Sequence, residues 1–240
     1  MIALKFTWNP LTGIDLGFIT IHFYSLMFVV AFSLGYYLMK KVYINEKIPL
    51  EKLDSIFIYA VVSILLGARL GHVLFYQTEL LWEDPLSVFL PFKFVPEFEF
   101  TGFRGLASHG AFIVGMYAMY RYSKKVVKKP FFWVLDRVAI PVSLGAMFVR
   151  VGNFFNSEMV GKVTDSAIGV QFIQDGISEG RAMSLTNIRN PRKAYQALTE
   201  DSQFAEKIAE IPYRYPGQLM EAVGYGIIFL IILYLYWKTK

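Results

Sequence analysis

The sequence predicts an all-α protein, a polytopic membrane helix bundle of about five transmembrane helices. Two observations lead to this prediction. Of the 240 residues, 55% are hydrophobic and only 18% are charged, whereas about a quarter of the residues are charged in a soluble domain. The apolar residues also lie in blocks of about 20, the length that a helix needs to cross a bilayer. Residues 1–240 are therefore expected to form a single membrane domain.

The predicted spans are, in chain order, residues 17–39, 53–76, 105–122, 131–151 and 218–237. We expect the first to be retained and not cleaved as a signal peptide, because no small-residue cleavage site precedes a long apolar run. The fourth contains Asp136, Arg137 and Pro141. Adjacent opposite charges near the end of a span can pair, so Asp136 and Arg137 are interpreted as a structural pair.

Basic residues mark the connections that are expected on the cytoplasmic side. They are Lys40, Lys41, Lys47 and Lys52 after the first span, and Arg121, Lys124, Lys125, Lys128 and Lys129 after the third. The second connection is acidic, with Lys93 as its one basic residue. The positive-inside rule therefore places the N-terminus outside and the C-terminus inside. Residues 152–217 then form a long extracytoplasmic loop or head region.

That head region is expected to contain an amphipathic helix. Asn190 is a suitable N-cap, and Pro191 suits the first helical position. An apolar stripe follows at Ala194, Tyr195, Leu198, Phe204, Ala205 and Ile208, and Pro212 ends it. The simpler interpretation is a surface cover, and the alternative is a helix that gates a substrate.

Composition excludes several kinds of chemistry. The chain has no cysteine, so a disulfide, a thiolate nucleophile and a cysteine metal site are all excluded, and any reacting thiol must belong to the substrate. Its histidines, His22, His72 and His109, show no metal-ligand spacing. The net charge of +5 is explained by the membrane loops and predicts no nucleic-acid partner.

The predicted orientation gathers polar residues from several spans in the outer leaflet. They are Tyr24, Arg69, His72, Tyr76, Arg104, Ser108, His109, Arg150, Asn153, Asn156, Glu158, Arg214, Gln218 and Glu221. Ionisable groups at membrane depth are costly, so they are functional candidates by default. Arg69 and Arg104 have an alternative role, in which they only reach lipid headgroups. His72 is better explained by packing, whereas His109 lies among glycines that allow close approach and is the stronger candidate.

The densest cluster follows Arg150, where Asn153, Asn156 and Glu158 lie within eight residues of it. An arginine guanidinium makes forked contacts with phosphate and stays charged. Asparagine adds neutral donors, and Glu158 can orient the arginine or act as a base. Helix capping explains Asn153 or Asn156 singly, but it does not explain the whole cluster beside a membrane arginine.

Five ordered blocks resemble the bacterial prolipoprotein diacylglyceryl transferases. They are residues 21–27, 67–76, 102–115, 150–161 and 214–221, and they extend over nearly the whole chain. The last block differs at three positions from the motif that is usual in the family, Arg-His-Pro-Ser-Gln-Leu-Tyr-Glu. The residues at those positions are Tyr215, Gly217 and Met220.

The resemblance implies transfer of a diacylglyceryl group from phosphatidylglycerol to the lipobox cysteine of a prolipoprotein signal peptide, with release of glycerol 1-phosphate. Catalysis is assigned to His109 as base or proton shuttle, with Arg150 as phosphate clamp and Glu158 beside it. Substrate binding is assigned to Tyr24, Arg69, Arg104, Ser108, Asn153, Asn156, Gly161, Gln218 and Glu221. No metal or organic cofactor is implied. The expected place is the bacterial cytoplasmic (inner) membrane, among membrane lipids.

Two alternatives come from other classes, a non-catalytic lipid-binding relative and a small transporter. The transporter fits less well, because its site is expected near the bilayer midplane. Relatives continue past the last block with further helices, one of which has a Tyr-Gly-x-x-Arg-x-x-x-Glu motif. Here Phe229 stands where that arginine would be after Tyr225 and Gly226. We therefore expect a chain truncated at its C-terminus that is inactive or weakly active alone.

Overall fold

A computed structural model describes residues 5–17, 20–90, 92–94, 98–100, 105 and 107–239. The helices are α1 (Phe23–Asn45), α2 (Leu50–Tyr76), α3 (Leu80–Glu83), α4 (Ser108–Tyr122), α5 (Phe131–Phe155), α6 (Ile173–Gly176), α7 (Glu179–Thr186), α8 (Pro191–Glu200), α9 (Ala205–Ala209) and α10 (Gly217–Thr239). The strands are β1 (Phe6–Trp8), β2 (Gly13–Asp15), β3 (Thr20–His22), β4 (Phe92–Lys93), β5 (Glu99–Phe100) and β6 (Val170–Phe172).

Helices dominate the architecture. Within the described ranges, four helices are long and apolar enough to cross a membrane, namely α1, α2, α5 and α10. The strands form only short pairs: β1 with β6 in parallel, and β2 with β3 and β4 with β5 in antiparallel. The prediction of an all-α, multi-pass membrane protein is confirmed.

The predicted span over residues 105–122 is shorter than expected. Gly105 has a left-handed backbone with φ of 69°, and Ala107 is extended, so α4 begins only at Ser108. Its 15 residues rise about 22 Å, which is less than the roughly 30 Å of the hydrocarbon core. A π-helical turn, Ser123–Val127, continues α4 until Lys128 adopts a left-handed conformation.

The chain forms two compact units. The first consists of Met1–Gly35 and Ile140–Lys240, and the second consists of Tyr36–Ala139. The second unit is therefore continuous in sequence, whereas the first is made of two distant segments.

In the second unit, glycines bring α2 and α4 into backbone contact. A Cβ atom added to Gly110 would lie 2.2 Å from the carbonyl oxygen of Gly67 and 2.6 Å from the Cα atom of Gly71. Just before α4, the backbone N–H of Ala107 donates to the carbonyl of Ala68 at 2.9 Å. Small residues at such crossings are how membrane helices approach closely.

In the second unit, Arg137 forms ion pairs with two acids, the predicted Asp136 and the buried Glu46. Arg137 donates from Nε and Nη2 to the carboxylate of Glu46 at 3.1 and 2.9 Å, and the two side chains are 8% and 9% exposed. Asp136 lies 3.6 Å from Arg137 but is 72% exposed. The predicted pair of Asp136 and Arg137 is therefore present, but the buried partner of Arg137 is Glu46, which the sequence did not indicate.

In the first unit, the head region has a small apolar core formed by α6 to α9. The buried residues are Ile173, Ile177, Ala182, Ala194, Tyr195, Leu198 and Ile211. The Asn190 side chain caps α8 by accepting from the backbone N–H of Lys193 at 3.1 Å, which confirms the predicted helix start. The helix is not continuous to Pro212, because it ends at Glu200 and a 3₁₀ turn, Ser202–Phe204, separates it from α9.

The N-terminal strand joins this head to the end of α5. β1 pairs with β6, and the Thr7 hydroxyl donates to the Gln171 side chain at 3.0 Å. The Trp8 indole stacks on Phe154 with ring centroids 4.3 Å apart, and its N–H donates to the Phe154 carbonyl at 2.9 Å. Segments far apart in sequence thus meet where α5 ends.

Candidate active site

A cluster of polar side chains lies in the first unit, where α5 ends and α10 begins. Arg150, on the last turns of α5, forms an ion pair from Nε to the carboxylate of Glu221 at 2.7 Å. Its side chain is 23% exposed. Nη1 donates to the Asn153 side chain at 3.4 Å, while Nη2 has no hydrogen-bond partner among the described residues. One edge of the guanidinium is therefore anchored, and a donor remains on the other.

Asn153 connects this arginine to Glu158. Asn153 is buried, and its amide donates to the carboxylate of Glu158 at 2.8 Å. Asn156 donates to the same carboxylate oxygen at 3.4 Å. The helix spacing explains the contact between Arg150 and Asn153, because residues three apart lie on the same face of a helix. Glu158 thus orients Asn153, which in turn touches the arginine.

Tyr24 lies against this cluster because Gly152 leaves room for it. A Cβ atom on Gly152 would be 2.8 Å from the Tyr24 ring. The phenol is near the Asn153 side chain and within electrostatic reach of Arg150 and Glu158. Any larger residue at position 152 would displace the ring, so the first turn of α1 and the end of α5 are matched in shape.

The turn after α5 is fixed by backbone contacts to residues 214–218. The Gly161 N–H donates to the Tyr215 carbonyl at 3.0 Å, and a Cβ atom at Gly161 would lie 2.6 Å from that oxygen. Gln218 is 1% exposed, and its amide donates to the backbone carbonyl of Glu158 at 2.7 Å. Two buried oxygens, Ser157 Oγ and Gln218 Oε1, lack a partner within the described residues. Buried acceptors of this kind are expected to receive a hydrogen bond from water or ligand.

The remaining candidates belong to the second unit, except Arg104, which lies outside the described residues. Ser108 and His109 are exposed on the first turn of α4, and the His109 ring meets Phe75 edge-on with centroids 4.9 Å apart. Arg69 donates to the carbonyls of Val88 and Ser87 at 3.1 and 2.8 Å. Those bonds tie α2 to the 3₁₀ turn Pro85–Val88.

Sequence reasoning does not identify three residues that shape this region. Gly152 could have been found, since it is a glycine inside a helix between Arg150 and Asn153. Trp8 and Asp175 give no local signal. Trp8 meets the end of α5 only through folding, and Asp175 lies 3.4 Å from the Arg214 guanidinium.

The fold and this cluster define a class: a multi-pass membrane protein in which carboxylates and amides hold one arginine at the end of α5, beside the start of α10. Nη2 of Arg150 has no hydrogen-bond partner in the part of the chain that the structure describes, and forked contacts between arginine and phosphate are strong.

The chain belongs to the prolipoprotein diacylglyceryl transferase family, whose model matches residues 12–240. A phosphatidylglycerol–prolipoprotein diacylglyceryl transferase of Tolumonas auensis is 33% identical over 235 residues, which cover 97% of this chain and 74% of the relative. Transferases of the same name are 31% identical in Bacteroides fragilis, covering 98% and 73%, and 31% identical in Chloroherpeton thalassium, covering 93% and 67%. The predicted family is confirmed.

Proposed function

We propose that this chain transfers the diacylglyceryl group of phosphatidylglycerol to the lipobox cysteine thiol of a prolipoprotein and releases glycerol 1-phosphate. The observation that carries the proposal is the Arg150 guanidinium, which Glu221 anchors at Nε while Nη2 remains available for a phosphate oxygen.

In the proposed reaction, the thiol loses its proton and the thiolate attacks the glyceryl carbon next to the phosphate. A carbon–sulfur bond forms, the carbon–oxygen bond breaks, and the electron pair leaves with the phosphate oxygen. Arg150 stabilises the charge that develops on that oxygen, and preorganised donors of this kind usually contribute more to catalysis than any other single effect. Asn153 and Glu158 hold the guanidinium in place.

Substrate binding is proposed for the polar groups around Arg150. Gln218 is proposed to shape this binding site, since it is buried and its amide donates to the Glu158 carbonyl at 2.7 Å. Tyr24 and Asn156 lie beside the same cluster. Gly161 fixes the backbone of the turn after α5 by its bond to Tyr215, and Glu221 holds the charged group of Arg150. Arg69, Arg104 and Ser108 are also proposed to bind substrate, and Arg69 then contacts it while two of its nitrogens donate to backbone carbonyls.

The activity is tested with purified protein, phosphatidylglycerol vesicles and a peptide that contains a lipobox cysteine. Mass increase of the peptide by one diacylglyceryl group is the expected result. If the protein binds phosphatidylglycerol but leaves the peptide unmodified, a non-catalytic lipid-binding role replaces the proposed one.

His109 is proposed as the base that accepts the thiol proton. His109→Gln should lower turnover by about 10²–10⁴-fold, the usual contribution of a general base. The measurement is the transfer rate at saturating donor. His72→Gln is the matched control, since His72 packs against Gly105 and bonds to Gln77. Equal rates for His109→Gln and the unsubstituted chain would remove His109 as the base.

We also propose that the protein lies in the bacterial cytoplasmic membrane with its site toward the outer leaflet. The basic connections support this orientation. Single cysteines at Lys193 and Lys125 test it, because the chain has no cysteine of its own. A membrane-impermeant thiol reagent should label Lys193→Cys in intact cells and Lys125→Cys only after lysis. The opposite pattern would invert the topology.

A further inference from the structure

The head region contains an open cleft that the proposed reaction does not use. It lies entirely in the first unit, has a volume of about 580 Å³, and is bordered by the β2–β3 hairpin on one side and by α8 on the other. Ligand-binding clefts commonly have volumes of about 300–1,000 Å³. The cleft is therefore large enough to hold a segment of chain.

Amides and hydroxyls form the floor and one wall of this cleft. Gln174 donates to the Asn9 side chain at 3.1 Å and to the Pro10 carbonyl at 2.9 Å. Asn9 in turn donates to the Tyr195 carbonyl and to the Thr199 hydroxyl at 3.0 and 3.3 Å. These bonds use the N–H donors of Asn9 and Gln174 and hold both side chains in place. Thr12, Thr20 and Gln196 also line the cleft, and their hydroxyl and amide groups can donate to and accept from the main chain of an extended peptide.

The charge of the cleft argues against an anionic occupant. Asp15, Glu179 and Glu200 line it, whereas Arg192 is the one guanidinium among the described residues of the lining. Three carboxylates and one arginine give the lining a negative charge, which is not complementary to a lipid phosphate. A neutral or basic chain segment fits this lining better.

The cleft also lies next to the candidate active site along the chain. His22 lines it at the end of β3 and is two residues before Tyr24, so their Cα atoms are at most roughly 7 Å apart. On the other side, Asn9 follows Trp8, which donates to the Phe154 carbonyl at the end of α5. Both sides of the cleft are therefore one or two residues along the chain from side chains that contact the end of α5.

We infer that this cleft binds the extended segment of the acceptor protein that follows its reacting cysteine. The inference rests on the proposed function, because it assumes that a protein thiol reacts at the neighbouring cluster. The cleft then recognises main-chain groups, with a preference for neutral or basic side chains over acidic ones.

Two acceptor peptides test the inference, one ending directly after its cysteine and one continuing as a neutral polar segment. Gln196→Trp fills the cleft from the exposed face of α8. It should raise KM for the long peptide about tenfold, the effect of losing one or two hydrogen bonds. KM for phosphatidylglycerol and the kinetics with the short peptide should not change. Equal effects on both peptides, or no effect on the long one, would overturn the inference.

Gln203→Trp is the matched control. Both glutamines are exposed and each amide bonds to a nearby acid, Glu200 for Gln196 and Asp201 for Gln203, but only Gln196 lines the cleft. The control should leave both peptides unaffected.

A disulfide crosslinking experiment separates failure of the inference from failure of the proposed function, because it requires no turnover. The long peptide, with its reacting cysteine changed to serine and a new cysteine in the following segment, should crosslink to Gln196→Cys and not to Gln203→Cys. Acidic residues in that segment should weaken the crosslink. Crosslinking at both positions alike, or competition by glycerol phosphate, would overturn the inference even if transfer activity is present. Absence of transfer by the unsubstituted chain, with selective crosslinking, would overturn the proposed reaction alone.

Discussion

Replacing Arg150 by lysine is expected to remove most of the transfer activity although the charge is kept. Lysine offers a point charge and cannot bind Glu221 through one edge while presenting donors to a phosphate through the other. By analogy with removal of one oxyanion donor, the loss should be about 2–4 kcal/mol of transition-state stabilisation. That range corresponds to a decrease of about 30- to 900-fold in kcat/KM.

The measurement is kcat/KM for phosphatidylglycerol with folded, purified protein. Arg181→Lys is the matched control, because Arg181 is exposed on α7 in the head region and lies outside the cluster around Arg150. We expect the control to retain full activity. Near-normal turnover of a folded Arg150→Lys protein would show that the phosphate is held elsewhere.

Gly110→Ala is expected to have the largest effect on stability. The new methyl group would lie 2.2 Å from the Gly67 carbonyl oxygen and 2.6 Å from the Gly71 Cα atom. Both are backbone atoms, so no rotation of a side chain can relieve the overlap and α2 must move away from α4. Overpacking costs about 1–3 kcal/mol, and it outweighs the gain of about 1 kcal/mol in helix propensity.

The free energy of unfolding in detergent micelles measures this effect, and Gly115→Ala provides the comparison on the same helix. At Gly115 the nearest atom to a new Cβ is Ser63 Oγ at 4.0 Å, which is ordinary contact. Gly115→Ala should therefore be neutral or slightly stabilising. If the two variants unfold at the same free energy, close glycine packing does not stabilise the second unit.

Features that depend on neighbouring residues could be predicted from the sequence. Asn190 caps α8 across three residues, and the contacts of Arg150 and Glu158 with Asn153 lie within one helix end and the turn after it. The apolar blocks likewise predicted that α1, α2, α5 and α10 exist, because length and hydropathy are local properties. The bounds of the first were placed six residues too early, at 17–39, whereas α1 is Phe23–Asn45.

Other features depend on residues that meet only in the folded chain. Glu46 is 91 residues from Arg137, so the sequence indicated the contact with the adjacent Asp136 but not the buried contact with Glu46. The start of α4 was placed too early because hydropathy does not show the left-handed backbone of Gly105. The cleft was not foreseen either, since its floor joins Asn9 to Gln174 and Thr199.

The pairing of β1 with β6 has a consequence for biosynthesis. Thr7 is bonded to Gln171, 164 residues later. At a synthesis rate of about 5–20 residues per second, the ribosome makes the second strand roughly 8–33 s after the first. The second unit, Tyr36–Ala139, is complete before the first unit can close. The N-terminal strand β1 must therefore stay unpaired until β6 is made, on the side of the membrane where β6 will emerge. Any chaperone or translocation factor that masks this early strand would act before the head region exists.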